Sequence, residues 1–259
     1  MFYAQENYIR EKIRSKKKIS AAWAQAGSNI TAEILAEAGF DAIVIDLEHG
    51  AGDVPVLISQ IQAMKGLNAV PIVRAPWNDF VQIKRILDAG AMGLLVPYVN
   101  TKEEAERVVQ SSHYPQDGIR GVAGSARAAH YGNGSMRYLS TANKEVFLMV
   151  AIETGTGVGN LEQIVNVDGI DGIFIGPNDL ASDLGYLCDP SQPEVQQTIK
   201  RIEEIVIPSD KILATVSSSF EDAQAKFDRG YDMLMLMSDT TSLSKTAREL
   251  INRFQALYM

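Results

Sequence analysis

Ala42-Ile43-Val44-Ile45-Asp46-Leu47-Glu48-His49 is an apolar run of strand length that breaks into acids and a histidine where a strand should stop. Four other runs end the same way. Pro71-Ile72-Val73-Arg74 ends in a guanidinium, and Phe147-Leu148-Met149-Val150-Ala151-Ile152-Glu153 in a carboxylate. Ile173-Phe174-Ile175-Gly176-Pro177-Asn178-Asp179 ends in a second carboxylate, and Ile212-Leu213-Ala214-Thr215-Val216-Ser217 in hydroxyls. In a parallel α/β barrel the strand ends share one rim, and such barrels do their chemistry there. The pattern implies an enzyme before any motif is weighed.

Outward from these runs, strand-length and helix-length segments alternate about eight times, with strands expected to begin near Lys18-Ile19, Ala42, Val70, Gly93, Val146, Gly172, Lys211 and Tyr231. Ile83, Ile86 and Leu87 repeat at helical spacing. Thr101 with Glu104 reads as a capping box, Asp53 as a cap ahead of Pro55, and Gly39, Gly66, Gly90 and Gly230 as helix ends. Repeated βα units in a chain of 259 residues predict a single (β/α)8 TIM barrel over 1–259, with a doubly wound open sheet as the alternative. Pro115 to Ser140, with five glycines from Gly118 to Gly134, reads as one long irregular loop, either functional or reaching into a neighbouring subunit.

Bulk properties narrow the partners. The chain is 46% hydrophobic and 22% charged, with a net charge of -8, which supports a large core and argues against nucleic acid or an anionic membrane as partner. The basic stretch Arg10 to Lys18 reads as a solvated leading helix. The single cysteine, Cys188, rules out an intrachain disulfide; with no apolar signal core and no run of about 18 apolar residues, the expected location is cytoplasmic.

The rim residues carry the chemistry. Glu153 and Asp179, on successive βα units, are candidate ligands for a hard divalent ion completed by water and substrate oxygens; helix N-terminal acids favoured by the macrodipole are the bland alternative. His49, just beyond Asp46, is the candidate base, since imidazole titrates near working pH. His113 and His130 read as surface residues. Arg74 suits a substrate carboxylate or an enolate oxygen, unless it merely pairs with Asp46 or Glu48. No lysine stands at a strand's C-terminal end, so a Schiff-base aldol mechanism lacks its amine. Gly155-Thr156-Gly157-Val158-Gly159-Asn160 mimics a dinucleotide fingerprint, but its third glycine comes one place early and Asn160 fills a position that should be small.

At these residues the chain resembles the HpcH/HpaI aldolases of the pyruvate/phosphoenolpyruvate barrel superfamily, in particular those acting on 2-keto-3-deoxy sugar acids and 4-hydroxy-2-oxoheptanedioate. The matching runs include Ile45-Asp46-Leu47-Glu48-His49, Pro71 through Asp79, Ile83 through Ala91, Gly118-Ile119-Arg120-Gly121, Ile152-Glu153-Thr154 and Ile175 through Leu180. The resemblance implies a class II aldolase, dependent on Mg2+, Mn2+ or Co2+, that splits a 2-keto-4-hydroxy acid into pyruvate and an aldehyde. It implies His49 as proton acceptor, Asp88 raising its basicity, Arg74 stabilising the transition state, and Glu153 and Asp179 holding the metal. It also implies a hexamer with C-terminal helices exchanged between subunits. One departure matters: Ala151 stands where these aldolases usually carry glutamine, on the same strand face as Glu153. A hydrogen bond to substrate or metal-bound water is then missing. Asn178, where a smaller residue is usual, offers a replacement polar group, so altered substrate preference or weakened activity is expected. Another lyase of the superfamily and a non-catalytic binding homologue are the competing readings.

Overall fold

Alternation decides which way each strand's side chains point. The computed structural model describes residues 7–133 and 135–259, and its eight strands are β1 (Ile19–Ala24), β2 (Ala42–Asp46), β3 (Val70–Arg74), β4 (Gly93–Val96), β5 (Phe147–Ile152), β6 (Gly172–Ile175), β7 (Ile212–Val216) and β8 (Met233–Ser238). All neighbours pair in parallel, and β8 returns to β1, so the sheet is a closed barrel and not an open one. The register with β8 shifts between Ala21 and Ala22. Strand starts fall within two residues of those expected from sequence.

One set of alternating residues fills the barrel: Ala21 and Trp23, Ala42 and Val44, Val70 and Ile72, and Phe147, Met149 and Ala151 belong to one inner cluster. The other set, including Ile43, Ile45, Val73, Val150 and Ile152, packs outward against helices α2 (Asn29–Glu37), α3 (Val54–Ala63), α4 (Phe80–Ala89) and α5 (Lys102–Ser112) and those that follow. Continuing the inner rows by two residues puts positions 25, 46, 74 and 153 on the inside, at the C-terminal mouth. That register aims Asp46, Arg74 and Glu153 at one point.

Local signals behave as read. Asp53 caps Val56 N–H, and Thr101 accepts from Glu104 N–H, while the Glu104 carboxylate takes the N–H of Asn100 instead of closing the box on Thr101. Gly90, at φ 105°, ends α4 in a conformation costly for residues with a Cβ.

Two expectations need correction. Arg10 to Lys18 is not simply a solvated helix. Its first part forms α1 (Tyr8–Arg14), whose Ile9 is buried in the inner barrel cluster. Arg10 pairs with Asp171 at 2.8 Å and Lys12 with Asp41, so its cations neutralise acids near the strand starts. The stretch from Pro115 is also not one loop to Ser140. It contains a short 3-10 segment (Arg127–Gly132), and helix α6 (Ser135–Glu145) begins inside it.

The remaining helices are α7 (Gly155–Gly159), α8 (Leu161–Val165), α9 (Pro177–Asp183), α10 (Pro193–Val206), α11 (Phe220–Arg229) and α12 (Asp239–Tyr258). In α12 only Asp239 is buried; Leu243, Leu250, Phe254 and Leu257 are all at least half exposed. No helix among the described residues is long and apolar enough to cross a membrane.

Candidate active site

The mouth is organised around Asp46, which closes β2 with a fully buried side chain. A buried carboxylate must be fully hydrogen-bonded, and Asp46 is. Its Oδ1 accepts from Arg74 Nε at 2.9 Å and from the N–H groups of Glu48 and His49 at 3.1 and 3.2 Å. Its Oδ2 accepts from Arg74 Nη2 at 2.6 Å and from Gln25 Nε2 at 2.9 Å. Arg74, at the end of β3 in register with Asp46, therefore makes a bidentate pair. Its Nη1 reaches Glu48 at 3.0 Å, and its guanidinium lies 4.5 Å over the Trp23 ring. Burial works against both charges of the pair, but the mutual contact outweighs it. Asp46 stays below, and Arg74 above, its ordinary range. The pairing expected as the bland alternative for Arg74 is thus present, and it fixes the guanidinium facing the mouth.

Acid exceeds base on the far side. Glu153, one residue past β5, is 4% exposed. Its Oε1 accepts the Tyr98 N–H at 2.7 Å, from a residue held at φ 53°. Burial pushes its carboxyl up to about 7, opposed by that N–H and raised further by Asp179 and Glu48. Asp179 lies in the first turn of α9, after Pro177, not at the end of β6 itself. Glu48 is also raised, mainly by burial. A Cβ at Gly176 would press on the Glu153 carboxylate and come 3.0 Å from the Glu153 Cβ, so glycine leaves that side chain its place. His49 is largely exposed, with Nε2 3.8 Å from Glu48 Oε2.

The donor set fits a hard divalent ion. The Asp179 carboxylate acts electrostatically on that of Glu153, and the guanidinium that faces Glu153, that of Arg74, is already committed to Asp46 and Glu48. Among the described residues no three His, Cys, Asp or Glu side chains close on one point, so the remaining positions would fall to water or substrate.

Not every expected residue joins the site. Asp88 lies near the C-terminal end of α4, which runs from the mouth back to the strand starts; there it pairs with Arg120 at 2.7 Å. One chain does not bring it to His49. Ala151 sits on the inner face below Glu153, beside Phe174, and Asn178 is exposed on the first turn of α9. His130 is exposed as expected, but His113 is half-buried, and burial lowers its pKa. The glycine run forms α7, with Gly157 N–H held by Thr154 and Gly155 N–H by Asp183, so those donors are already taken. Lys226 reaches Val216 O at the end of β7, but Asp222 holds it at 2.7 Å.

Sequence reasoning missed Gln25, Trp23 and Tyr98. The first two were legible: counting by twos along β1 from Ala21 gives both. Tyr98 acts through its backbone N–H, for which side-chain identity carries no signal.

A buried arginine–aspartate pair facing surplus carboxylates at a barrel mouth can stabilise an oxyanion next to a cation. Comparison makes this specific. The model of the HpcH/HpaI aldolase/citrate lyase family matches residues 20–246. The 5-keto-4-deoxy-D-glucarate aldolase of Salmonella paratyphi C (strain RKS4594) is 40% identical over 233 residues, covering 90% of this chain and 91% of that one. A family member from Burkholderia cenocepacia J2315 superposes with a TM-score of 0.92 at 32% identity, covering 96% of this chain and 99% of that structure. The citrate synthase SbnG shares the fold, with a TM-score of 0.86 at 24% identity, covering 96% of this chain and 97% of that one. The chain belongs to the HpcH/HpaI aldolase/citrate lyase family, and it is a class II aldolase, an aldehyde-lyase.

Proposed function

We propose that this aldolase releases pyruvate from a 2-keto-4-hydroxy acid using a divalent ion, Mg2+, Mn2+ or Co2+, held by Glu153 and Asp179. The observation that carries the reading is the surplus of buried acid opposite Arg74. When bound, such an ion polarises the keto oxygen and orients the substrate carboxylate. The chain's own groups do the rest. His49, open to the mouth, takes the 4-hydroxyl proton directly or through water, with Glu48 Oε2 3.8 Å from its Nε2. As the C3–C4 bond breaks, negative charge grows on the keto oxygen, and the guanidinium of Arg74, prevented from turning by Asp46 and Trp23, faces it without reorganising. C4 leaves as the aldehyde carbonyl, and return of the proton from His49 to C3, directly or through water, gives pyruvate. Asp88, tied to Arg120 at the other end of the barrel, can assist His49 only from another copy of the chain.

The 5-keto-4-deoxy-D-glucarate aldolase relative favours a sugar-derived keto diacid as substrate. The chain works as one barrel unit in a reducing cytoplasm and assembles with further copies, as a hexamer. The uncovered apolar side of α12, together with exposed Ile30 and Ile34 on α2, supports assembly. Light scattering should show loss of the oligomer in Leu250→Glu/Phe254→Glu.

A coupled pyruvate-release screen over 2-keto-4-hydroxy acids, with and without chelator, tests the reaction. Turnover should stop with chelator and return with added divalent ion. Undiminished turnover in chelator, or a product other than pyruvate, rejects the reading.

A further inference from the structure

Gln25 stands one residue past β1, with its amide held at both ends. Ser238 Oγ, closing β8, donates to its Oε1 at 2.8 Å, and Thr240 Oγ1 donates to the same oxygen at 3.3 Å. The carboxylate fixes which way the amide faces: Asp46 Oδ2 can only accept, so Nε2 must point at it, donating at 2.9 Å, and Oε1 is left to the two hydroxyls. The reversed amide would set its oxygen against a buried carboxylate. Removing Gln25 would leave Asp46 Oδ2 with Arg74 alone, in a place closed to water. β1 thus grips the arginine twice, with Trp23 against the guanidinium face and Gln25 behind its carboxylate partner.

We infer that Gln25, anchored by Ser238 and Thr240, is a positioning residue for the aldol step, holding Asp46 so that Arg74 meets the developing enolate oxygen at a fixed angle. The inference rests on the enolate-stabilising role proposed above for Arg74. Gln25 touches no reacting atom. It acts through two charge-assisted contacts in series, and small misplacements of an oxyanion-stabilising group are costly.

The test uses the full chain, with Gln25→Leu to keep the volume and remove the amide, Ser238→Ala to remove the shorter of the two hydroxyl contacts on its oxygen, and Arg74→Lys as reference. With metal added, exchange of the pyruvate methyl protons into deuterated water is followed by NMR. In metal-free protein, solvent exchange of the Arg74 Nε–H is followed on the labelled side chain. Gln25→Leu should slow pyruvate exchange about ten-fold at saturation with KM within about two-fold. It should also speed Nε–H exchange about ten-fold, with Ser238→Ala intermediate in both. A purely space-filling role would move neither. If Arg74→Lys is slow while Gln25→Leu and Ser238→Ala match wild type in both readouts, the inference fails and the site reading stands. If Arg74→Lys exchanges pyruvate at the wild-type rate, the site reading itself fails, and the inference with it. Should Gln25→Leu not fold, Ser238→Ala combined with Thr240→Val, which strips both hydroxyls from the amide oxygen, decides by the same two readouts.

Discussion

Two of the barrel's arginine–aspartate pairs, Arg74–Asp46 at the mouth and Arg120–Asp88 toward the strand starts, are built differently. At the mouth Arg74 grips Asp46 with two parallel hydrogen bonds, takes a third contact from Glu48, and looks across at Glu153 and Asp179. Near the strand starts Arg120, 1% exposed, gives one bond to Asp88 and packs against Tyr114 and Tyr138 at 4.4 and 5.8 Å. Among the described residues no second acid pairs with it and its Nε has no hydrogen-bond partner. The lower pair is balanced and wrapped in aromatic rings. The upper pair is one part of an electrostatically incomplete site. A charge imbalance that folding alone would not favour marks the end of the barrel where a ligand must supply the missing charge.

The contrast breaks most visibly at Glu153. Glu153→Gln should lower pyruvate-forming turnover about 10³-fold. It should also stabilise the metal-free protein at pH 8. A carboxyl raised from 4.5 to about 7 in the fold contributes fully below its unfolded value, and that contribution is lost as pH rises through 7. At pH 8 the wild type therefore carries a penalty of about 3 kcal/mol that glutamine lacks. Urea denaturation of both proteins without metal measures it, and a less stable variant at pH 8 would contradict this account.

Next come the two arginines. Arg74→Lys should cost about 10²-fold in turnover while the protein stays folded, because an ammonium cannot reproduce the fork. Arg120→Met should do the opposite. Stability should fall by about 3 kcal/mol, read from the denaturant midpoint, with turnover per folded molecule within about three-fold. Equal effects at both ends would erase the distinction.

A smaller effect concerns pH. Glu153 must lose its proton to hold an ion, so metal affinity should fall as pH drops through about 7. Calorimetry in buffers of different ionisation enthalpy should show about one proton released per ion at pH 6 and less at pH 8. Least of all, Ala151→Gln should shift the preference among keto acids by a few-fold. Identical profiles would remove Ala151 from the specificity account.

Legibility in the sequence followed the physics of each signal. Asp46, Arg74 and Glu153 were readable because a strand's side chains alternate with a fixed period of two, so an apolar row that turns polar at its end must aim that polar group at the barrel mouth. Asp179 was found on the same logic, although it sits in a helix's first turn. Gln25 obeyed the rule and was overlooked because β1 does not end in a charge. Asp88 was assigned through resemblance, and its helix carries it to the opposite end of the barrel from His49. The basic run from Arg10 showed its charge but not its partners, since Asp41 and Asp171 are distant in sequence.

The sequence by itself determined the eight-fold alternation, the parallel βα order and the polar residues that end its strands, because these depend on local periodicity and on length, while closure of the sheet waited on the pairing of β8 with β1. Only the tertiary structure decided that Asp46 would be saturated with donors, that Tyr98 would lend its N–H to Glu153, and that two acids would be left in surplus opposite one committed arginine. Those outcomes depend on distances between segments far apart in the chain, which packing alone sets.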